Sequence, residues 1–297
     1  MQTLAALIHP KNPSDFFSSY AKNEPVVIHG LDESVSELMS LPFLKSLEAL
    51  LNSWPNDIQA HLPDVRDEAS SIDTTSRDAQ KLFDNGMGLL FNHAQNISPV
   101  LVRWLHELRM DLGLSALTIS RCLMYATPKG KGTAPHFDQN INFVFQVSGN
   151  KRWWIAPNHE VTNPMTRHTM GLPTDPELES YAERPMPVKM PADAKLFELK
   201  AGSLLFVPRG CWHSTEADSD ALSLNFTFTA PTWIDLFTAA LRGRLAQSSE
   251  WRATADGVSD FSKHAEAAEK FDLLLAELVH DLPNWRAADI LGATETD

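Results

Sequence analysis

A His-x-Asp pair and a distant histidine have the residue types and the spacing of a mononuclear iron site. His136 and Asp138 are two positions apart, and in a strand such residues point to the same face. His213 follows much later in the chain. Two histidines and one carboxylate occupy one face of an octahedron and leave the opposite positions open for a cosubstrate and oxygen. The pattern therefore predicts an Fe(II) centre held by His136, Asp138 and His213.

Both histidines stand where an apolar segment meets a turn. His136 lies between a glycine- and lysine-rich loop and an apolar run at 141–147, and His213 follows an apolar run at 204–207 that ends at Pro208. Such junctions form the mouth of a β-barrel or jelly roll. We therefore expect neighbouring strands to bring the third ligand to the pair. An alternative without metal, in which each histidine is only hydrogen-bonded near a turn, fits either segment alone but not the two segments together.

The elements that must position these residues divide the chain into three regions. Residues 1–116 predict helices and strands that pack on a barrel, residues 117–230 predict the β-rich core, and residues 231–297 predict a helical region. The predicted strands of the core are 117–125, 141–147, 153–155, 196–199, 203–207 and 221–229. The predicted helices of the last region are 233–245 and 261–279.

The first region and the core also contain less regular segments. We predict a helix over 14–22 capped by Ser14 or Asp15, a strand over 25–30, helical spacing over 41–51, and an amphipathic helix over 99–112. Residues 54–77 are polar and acidic, which indicates loops with an irregular strand. Six prolines between 158 and 191 indicate a long insertion between core strands, which is typical of a lid or substrate wall.

Composition restricts the compartment and the partners. No segment reaches the apolar length that spans a bilayer, and the start lacks a secretory signal. Only Cys122 and Cys211 are present, so we expect no disulfide framework and a cytoplasmic protein. A net charge of −13 disfavours binding to nucleic acid. It would attract a basic partner such as a ribosomal protein tail. A requirement for solubility explains the negative charge equally well.

The strand after the His-x-Asp pair has two different faces. Residues 141, 143, 145 and 147 are apolar, whereas the other face, with Asn142 and Gln146, is partly polar and by parity is shared with the metal ligands. A turn then leads to Lys151 and Arg152. Residue parity alone leaves open which of these two cations points inward, and a solvated basic pair is the alternative. An inward cation would need an anion, and a dicarboxylate cosubstrate would supply one.

At these residues the sequence resembles the JmjC and cupin-like Fe(II)- and 2-oxoglutarate-dependent oxygenases. The resemblance is closest to the ribosomal oxygenases and extends to the asparaginyl hydroxylase that acts on hypoxia-inducible factor. The segments that carry it are EPVVIHG at 24–30, YATP at 125–128, APHFDQ at 134–139, FVFQVSGNKRW at 143–153, GSLLFVPRGCWH at 202–213 and PTWIDL at 231–236.

The resemblance implies a double-stranded β-helix, a jelly roll of the cupin type, that holds iron through the three ligands above. It also implies that Lys151, fifteen positions after His136, binds the distal carboxylate of 2-oxoglutarate. Thr127 matches a threonine hydroxyl of the ribosomal oxygenases that helps to bind the same carboxylate. Thr133 matches a similar hydroxyl of the asparaginyl hydroxylase. We expect only one of the two to bind the carboxylate here. We also assign cosubstrate binding to Tyr125, Asn142 and Asn225.

The function implied by the resemblance is hydroxylation of a protein or peptide side chain with Fe(II), 2-oxoglutarate and O2. The alternatives are a small-molecule hydroxylase of the same family, a methyl-lysine demethylase, and a metal-binding cupin without catalysis, which would not need Lys151. The ribosomal oxygenases carry a winged-helix domain after their helical region that residues 231–297 do not resemble, so a ribosomal substrate is not implied by the motifs.

We expect the C-terminal helices to support a homodimer. Trp153, Trp154 and Trp212 are interpreted mainly as core residues.

Overall fold

The computed structural model describes residues 2–31, 33–62 and 70–292, and the chain forms two compact units. The first comprises residues 1–114 and 118–230, and the second comprises 115–117 and 231–297. The helices of the first unit are α1 (Gln2–Ile8), α2 (Pro13–Ala21), α3 (Ser36–Met39), α4 (Leu47–Ser53), α5 (Ser76–Asp84), α6 (Pro99–Asp111) and α7 (Pro176–Tyr181), with short 3₁₀ turns at Pro42–Leu44 and Ala94–Ile97.

The strands of the first unit form two antiparallel sheets. They are β1 (Val26–Ile28), β2 (Ile58–His61), β3 (Ser71–Thr74), β4 (Gly88–Phe91), β5 (Ile119–Thr127), β6 (Gly132–Phe137), β7 (Ile141–Ser148), β8 (Lys151–Ala156), β9 (His168–Thr169), β10 (Lys195–Leu199), β11 (Ser203–Val207), β12 (Trp212–Ala217) and β13 (Ala221–Thr229). The eight-stranded sheet has the order β1-β11-β7-β13-β5-β4-β2-β3, and the five-stranded sheet has the order β10-β8-β12-β6-β9. This architecture confirms the predicted mostly β core with helices.

Alternation along the strands explains how the layers pack. On β7, Phe143 and Phe145 join the large apolar cluster that contains residues of α1, α2 and α6. Val144 points the other way and packs with Trp153 of β8 and Leu205 of β11, which come from both sheets. One face of the large sheet therefore buries helices, and its other face meets the small sheet. The polar positions between the sheets are left for the cavity described below.

Several predicted elements differ from the observed ones in their bounds. The first amphipathic helix begins at Pro13, and the Asn12 side chain caps it by accepting the Asp15 backbone N–H, so the expected caps Ser14 and Asp15 were wrong. The helical segment predicted over 41–51 is a 3₁₀ turn followed by α4, which Ser46 caps. Residues 54–77 contain the paired strands β2 and β3, not mainly loop, and part of that prediction (63–69) lies outside the described residues.

The second unit is helical: α8 (Trp233–Leu245), α9 (Ser249–Arg252), α10 (His264–Asp281), a 3₁₀ turn (Leu282–Asn284) and α11 (Ala287–Gly292). A capping box starts α8, where Thr232 and Asp235 satisfy each other's backbone N–H groups. Large apolar side chains on α8 and α10 are exposed, among them Trp233, Ile234, Phe271, Leu273 and Val279. No helix in the described part of the chain has the length and apolar composition needed to cross a bilayer.

Candidate metal centre

His136, Asp138 and His213 converge at one end of the small sheet. β6 carries His136 and ends one residue before Asp138, while β12 carries His213 directly opposite His136. The His136 and His213 Nε2 atoms lie 3.9 and 3.6 Å from Asp138 Oδ2, and one ligand atom from each residue lies within 4.8 Å of the others. It is the one cluster of this kind among the residues that the structure describes. The three donors can therefore bind a single ion on one face.

Backbone carbonyls select the tautomer of both imidazoles. His136 Nδ1–H donates to the Ala134 carbonyl at 2.8 Å, and His213 Nδ1–H donates to the Cys211 carbonyl at 2.9 Å. Each bond fixes Nδ1 as the donor and turns Nε2 toward Asp138. Metal-bound histidines usually donate their other N–H in this way, which fixes the ring and its basicity. The two rings are thus oriented for ligation before any ion binds.

The charge states of the ligands also suit a divalent cation. Burial, together with the neighbouring His136, lowers the pKa of His213 to about 4, so its imidazole is neutral near pH 7. Burial alone would raise the pKa of Asp138, but His136, His213 and Arg167 together lower it below its usual value. Arg167 Nε lies 3.3 Å from Asp138 Oδ1, the oxygen that is not nearest the histidines. The carboxylate is therefore ionised and presents Oδ2 to the ion.

A cavity of about 340 Å³ opens beside the three ligands and contains a buried lysine. Lys151, at the start of β8, is 4% exposed, and its Nζ donates to Thr127 Oγ1 at 3.2 Å. No carboxylate of the described residues pairs with this ammonium group. Burial lowers the pKa of Lys151 to about 8. The cavity therefore holds a cation with a hydroxyl beside it and room for an anion.

The question of Lys151 or Arg152 is decided by the position of each side chain on β8. Arg152 lies on the opposite face, where its guanidinium binds Glu216 at 2.8 Å and Asp218 at 2.9 Å and contacts the Trp154 ring. Lys151 faces the cavity instead. The turn at Ser148–Asn150 sets this parity, which residue alternation could not foresee.

The other predicted cosubstrate residues also line the cavity, with different partners. The Thr133 hydroxyl bonds the Thr215 hydroxyl at 3.0 Å, so it is engaged on the side of β12 and not with Lys151. Asn142 Oδ1 accepts from Thr227 Oγ1 at 2.6 Å. Tyr125 lies on the wall, and the Asn225 Oδ1 is buried without a hydrogen-bond partner among the described residues. All nine residues predicted for the site therefore meet at one cavity, and their individual roles stay predictions.

Two side chains of the site were missed by the sequence reasoning. Arg167 belongs to the insertion between β8 and β10, and only tertiary folding brings it to Asp138. Trp153, interpreted as a core residue, contacts both His213 and Lys151 and lines the cavity. Its position two residues after Lys151 on the same strand was the available signal, since both residues then share a face.

Comparisons with known proteins agree with this geometry. A profile of the JmjC domain matches residues 102–236. The chain is 32% identical over 285 residues to the uncharacterized protein YxbC of Bacillus subtilis (strain 168), covering 94% of this chain and 86% of that protein. It is 25% identical over 313 residues to ribosomal oxygenase 1 of Gallus gallus, covering 95% of this chain but only 48% of that relative. The chain thus spans about half of the latter's length.

The fold is also similar to a solved structure. Escherichia coli YcfD, described as a ribosomal oxygenase in complex with cobalt and 2-oxoglutarate, matches with a TM-score of 0.51 and 19% identity. The match covers 91% of this chain and 67% of that one. At this identity the similarity concerns the fold alone.

Proposed function

Because this chain belongs to the JmjC-domain family, we propose that it is an Fe(II)- and 2-oxoglutarate-dependent dioxygenase that hydroxylates a side chain of a protein or peptide. The observation that carries the proposal is the buried ammonium group of Lys151, which lines the same cavity as the three metal-ligand candidates and has no carboxylate partner among the described residues. Burying an unpaired cation is costly. A ligand with a carboxylate at that end of the cavity would offset the cost.

The donor set fits the proposed cofactors. Two imidazoles and one carboxylate are donors that suit ferrous iron, and they would leave other coordination positions for further ligands. His136, Asp138 and His213 would hold the metal, and Lys151 with Thr127 would hold the distal carboxylate of 2-oxoglutarate. A metal-binding cupin without catalysis would have no use for the cation, so the oxygenase is favoured.

When bound, iron, 2-oxoglutarate and O2 supply the oxidising power that converts a C–H bond to C–OH, with succinate and carbon dioxide as coproducts. The chain supplies orientation and exclusion of water. Lys151 and Thr127 would fix the far end of the cosubstrate. The backbone carbonyls of Ala134 and Cys211 hold both imidazole rings in their orientation. Arg167 holds the second oxygen of Asp138 away from the histidines.

A protein substrate is supported by the relative named ribosomal oxygenase 1. The net charge of −13 would steer a basic partner, for which a ribosomal protein is our proposed class. The insertion between β8 and β10 supports substrate recognition, because its Arg167 reaches the metal centre. A small-molecule substrate remains the second candidate, since it would use the same cofactor residues.

We also propose that the chain forms a homodimer through its C-terminal helices and acts in the cytoplasm. Exposed apolar side chains on α8 and α10, such as Trp233 and Leu273, support the first proposal, because a monomer would leave them in water. Two buried, reduced cysteines, Cys122 and Cys211, suit the second.

The proposed chemistry is tested by adding Fe(II) to the purified protein without oxygen and titrating 2-oxoglutarate. We expect a saturable metal-to-ligand charge-transfer band in the visible spectrum of the wild type. Lys151→Ala should need far more cosubstrate to reach the same band. Lys129→Ala, which removes an exposed lysine outside the cavity, is the matched control and should titrate as the wild type does.

Admission of oxygen to the same samples then tests turnover. Succinate should form slowly without substrate and faster with a true substrate, starting from ribosomal proteins and basic peptides. An iron-loaded wild type that gives neither band nor succinate would refute the oxygenase and leave a metal-binding cupin.

A further inference from the structure

The residues next to the metal ligands in sequence pack together behind the metal site. Phe137 stands between His136 and Asp138, and Trp212 immediately precedes His213. Neighbours in a strand point to opposite faces, so both rings turn away from the metal cavity. They pack edge to face with ring centroids 4.7 Å apart, and both are fully buried. The ligand-bearing ends of β6 and β12 are therefore joined by one aromatic contact.

The insertion between β8 and β10 covers this contact. Val161 and Leu178 belong to the same apolar cluster as the two rings. Further residues of the insertion pack around it: Met170, Tyr181, Ala182, Met186, Met190 and Ala194. Arg167 of the same insertion reaches the cavity side, where it pairs with Asp138. The insertion thus contacts the metal-binding strands on both faces.

One hydrogen bond fixes the indole of Trp212 to the insertion. Trp212 Nε1–H donates to Glu160 Oε2 at 2.9 Å, and hydrogen bonds to carboxylates are among the stronger ones in proteins. The backbone of Glu160 is itself held in place. Its N–H donates to Asn158 Oδ1 at 3.0 Å, and its carbonyl accepts the Glu183 N–H at 2.8 Å. The carboxylate is therefore an acceptor at a fixed position.

Asn158 connects the same segment to a second metal ligand. Its Nδ2–H donates to the Gly210 carbonyl at 3.0 Å, and the Gly210 N–H donates to the Asp138 carbonyl at 2.9 Å. Residues 158–160 therefore hold the backbone on both sides of the metal site, at Asp138 and beside His213.

We propose that Glu160 is a positioning residue of the metal centre, which sets the orientation of His213 through the indole of Trp212. Trp212 and His213 are consecutive, so a rotation of the indole would also turn the backbone that carries the imidazole. This inference rests on the metal site of the proposed function and not on its cosubstrate. The insertion, to which we assign substrate recognition, is in this way connected to a metal ligand by one hydrogen bond and one peptide bond.

The test is Co(II) binding to the purified full chain, read from the visible d–d bands of the bound ion. Glu160→Leu removes the acceptor of the indole N–H, whereas Glu160→Gln keeps an oxygen at the same position. We expect the Kd for Co(II) to rise about tenfold in Glu160→Leu, as it does when a residue that orients a metal ligand is lost. The bands at saturation should also change, because the geometry of the site changes.

Two variants should bind Co(II) as the wild type does. Glu160→Gln should restore both the affinity and the bands, since the amide oxygen still accepts the N–H. Glu179→Leu removes an exposed carboxylate from α7 of the same insertion and is the matched control. Wild-type bands at saturation in Glu160→Leu, with or without weaker affinity, would mean that Glu160 only stabilises the fold, and they would overturn the inference.

Trp212→Phe tests whether Glu160 acts through the indole. Phenylalanine keeps an aromatic ring against Phe137 and removes the N–H, so Glu160→Leu should cause no further change in that background. A further loss of the same size would mean that Glu160 acts by another route, which contradicts the proposal. If Trp212→Phe does not fold, the comparison of Glu160→Leu with Glu160→Gln decides alone. A wild type that binds no Co(II) would refute the metal site of the proposed function as well, whereas unchanged variants of a Co(II)-binding wild type refute this inference only.

Discussion

His136 and His213 are register partners on adjacent antiparallel strands, and their imidazole rings lie 4.1 Å apart. The register shifts immediately after this pair, between His213 and Thr215 of β12. Such bulges re-aim side chains beside active sites. The irregularity adjoins both ligands at the rim of the small sheet, so the metal site depends directly on the pairing of β6 with β12.

The close approach of these two strands requires glycine at position 132. A Cβ built on Gly132 would lie 1.8 Å from the Thr215 carbonyl oxygen, so the backbone would have to separate. We expect Gly132→Ala to lower the free energy of unfolding by about 3 kcal/mol or more, as large steric conflicts in packed regions do. Metal affinity should fall with it, and urea unfolding together with Co(II) titration measures both.

Gly88→Ala is the control for that experiment. Gly88 also lies in a strand, and its nearest neighbour to an added Cβ, the Ala126 carbonyl oxygen, is at an ordinary 3.8 Å. Its unfolding midpoint should stay close to that of the wild type. Equal stability of the two variants would contradict the assigned strand contact.

Asp138→Ala should abolish succinate formation without unfolding the protein. The carboxylate is the one negative charge in the ligand set, and its ion pairs within the described residues go to His136, His213 and Arg167. Its loss removes the metal from the cavity while the sheets stay intact. Metal content and circular dichroism check the two halves of this expectation, and full turnover by the variant would refute the ligand assignment.

The ligand set could be predicted because its parts are local. His136 and Asp138 are close in sequence, and His213 follows an apolar run that ends in a turn, so strand alternation and turn residues suggested the set and the family resemblance supported it. The core strands 203–207 and 221–229 were also predicted at their observed bounds, since each is an apolar run between turns. Helix α8 was equally clear, because its capping box marks the start.

The residues that could not be predicted meet their partners only through tertiary folding. Arg167 reaches Asp138 from a proline-rich insertion whose sequence shows no hydrophobic periodicity from which its path could be predicted. Residue alternation alone did not decide between Lys151 and Arg152, and Lys151 was predicted to point inward only from the family resemblance. Helix α5 and the short apolar strand β4, for which we predicted nothing, follow the polar segment and complete the large sheet and its cover.

Thr127→Val should weaken 2-oxoglutarate binding more than Thr133→Val. Lys151 Nζ donates to the Thr127 hydroxyl, whereas the Thr133 hydroxyl bonds Thr215. Removing one hydrogen bond of this kind costs about 1 kcal/mol, which is roughly a fivefold change in Kd. Anaerobic titration of both variants measures it. A larger effect at Thr133 would assign the assisting hydroxyl to the other side of the cavity.

The exposed apolar side chains of α10 should decide the oligomeric state. Leu273 and Val279 are 69% and 67% exposed, and glutamate at both positions would place charge in a dimer interface. We expect the double variant to be monomeric by light scattering where the wild type is dimeric. Val188→Glu, at an exposed apolar residue of the insertion, should leave the dimer intact. A monomeric wild type at micromolar concentration would contradict the proposed interface.

Lys151→Met should make the empty protein more stable while it abolishes tight cosubstrate binding. Burial lowers the folded-state pKa of Lys151 from 10.5 to about 8, so below pH 8 the folded protein bears the full cost of the buried ammonium group. The unfolded chain binds the extra proton between pH 8 and 10.5, and stability therefore rises with pH across that window. The gain in unfolding free energy from Lys151→Met at pH 7 is at most about 3 kcal/mol, less the contribution of the lost hydrogen bond to Thr127.

Urea unfolding at pH 7 and at pH 10 should show that the stability advantage of the methionine variant shrinks as the pH rises. An exposed-site variant, Lys129→Met, should show no such trend, and a destabilised Lys151→Met at pH 7 would mean that the ammonium group has an anion already.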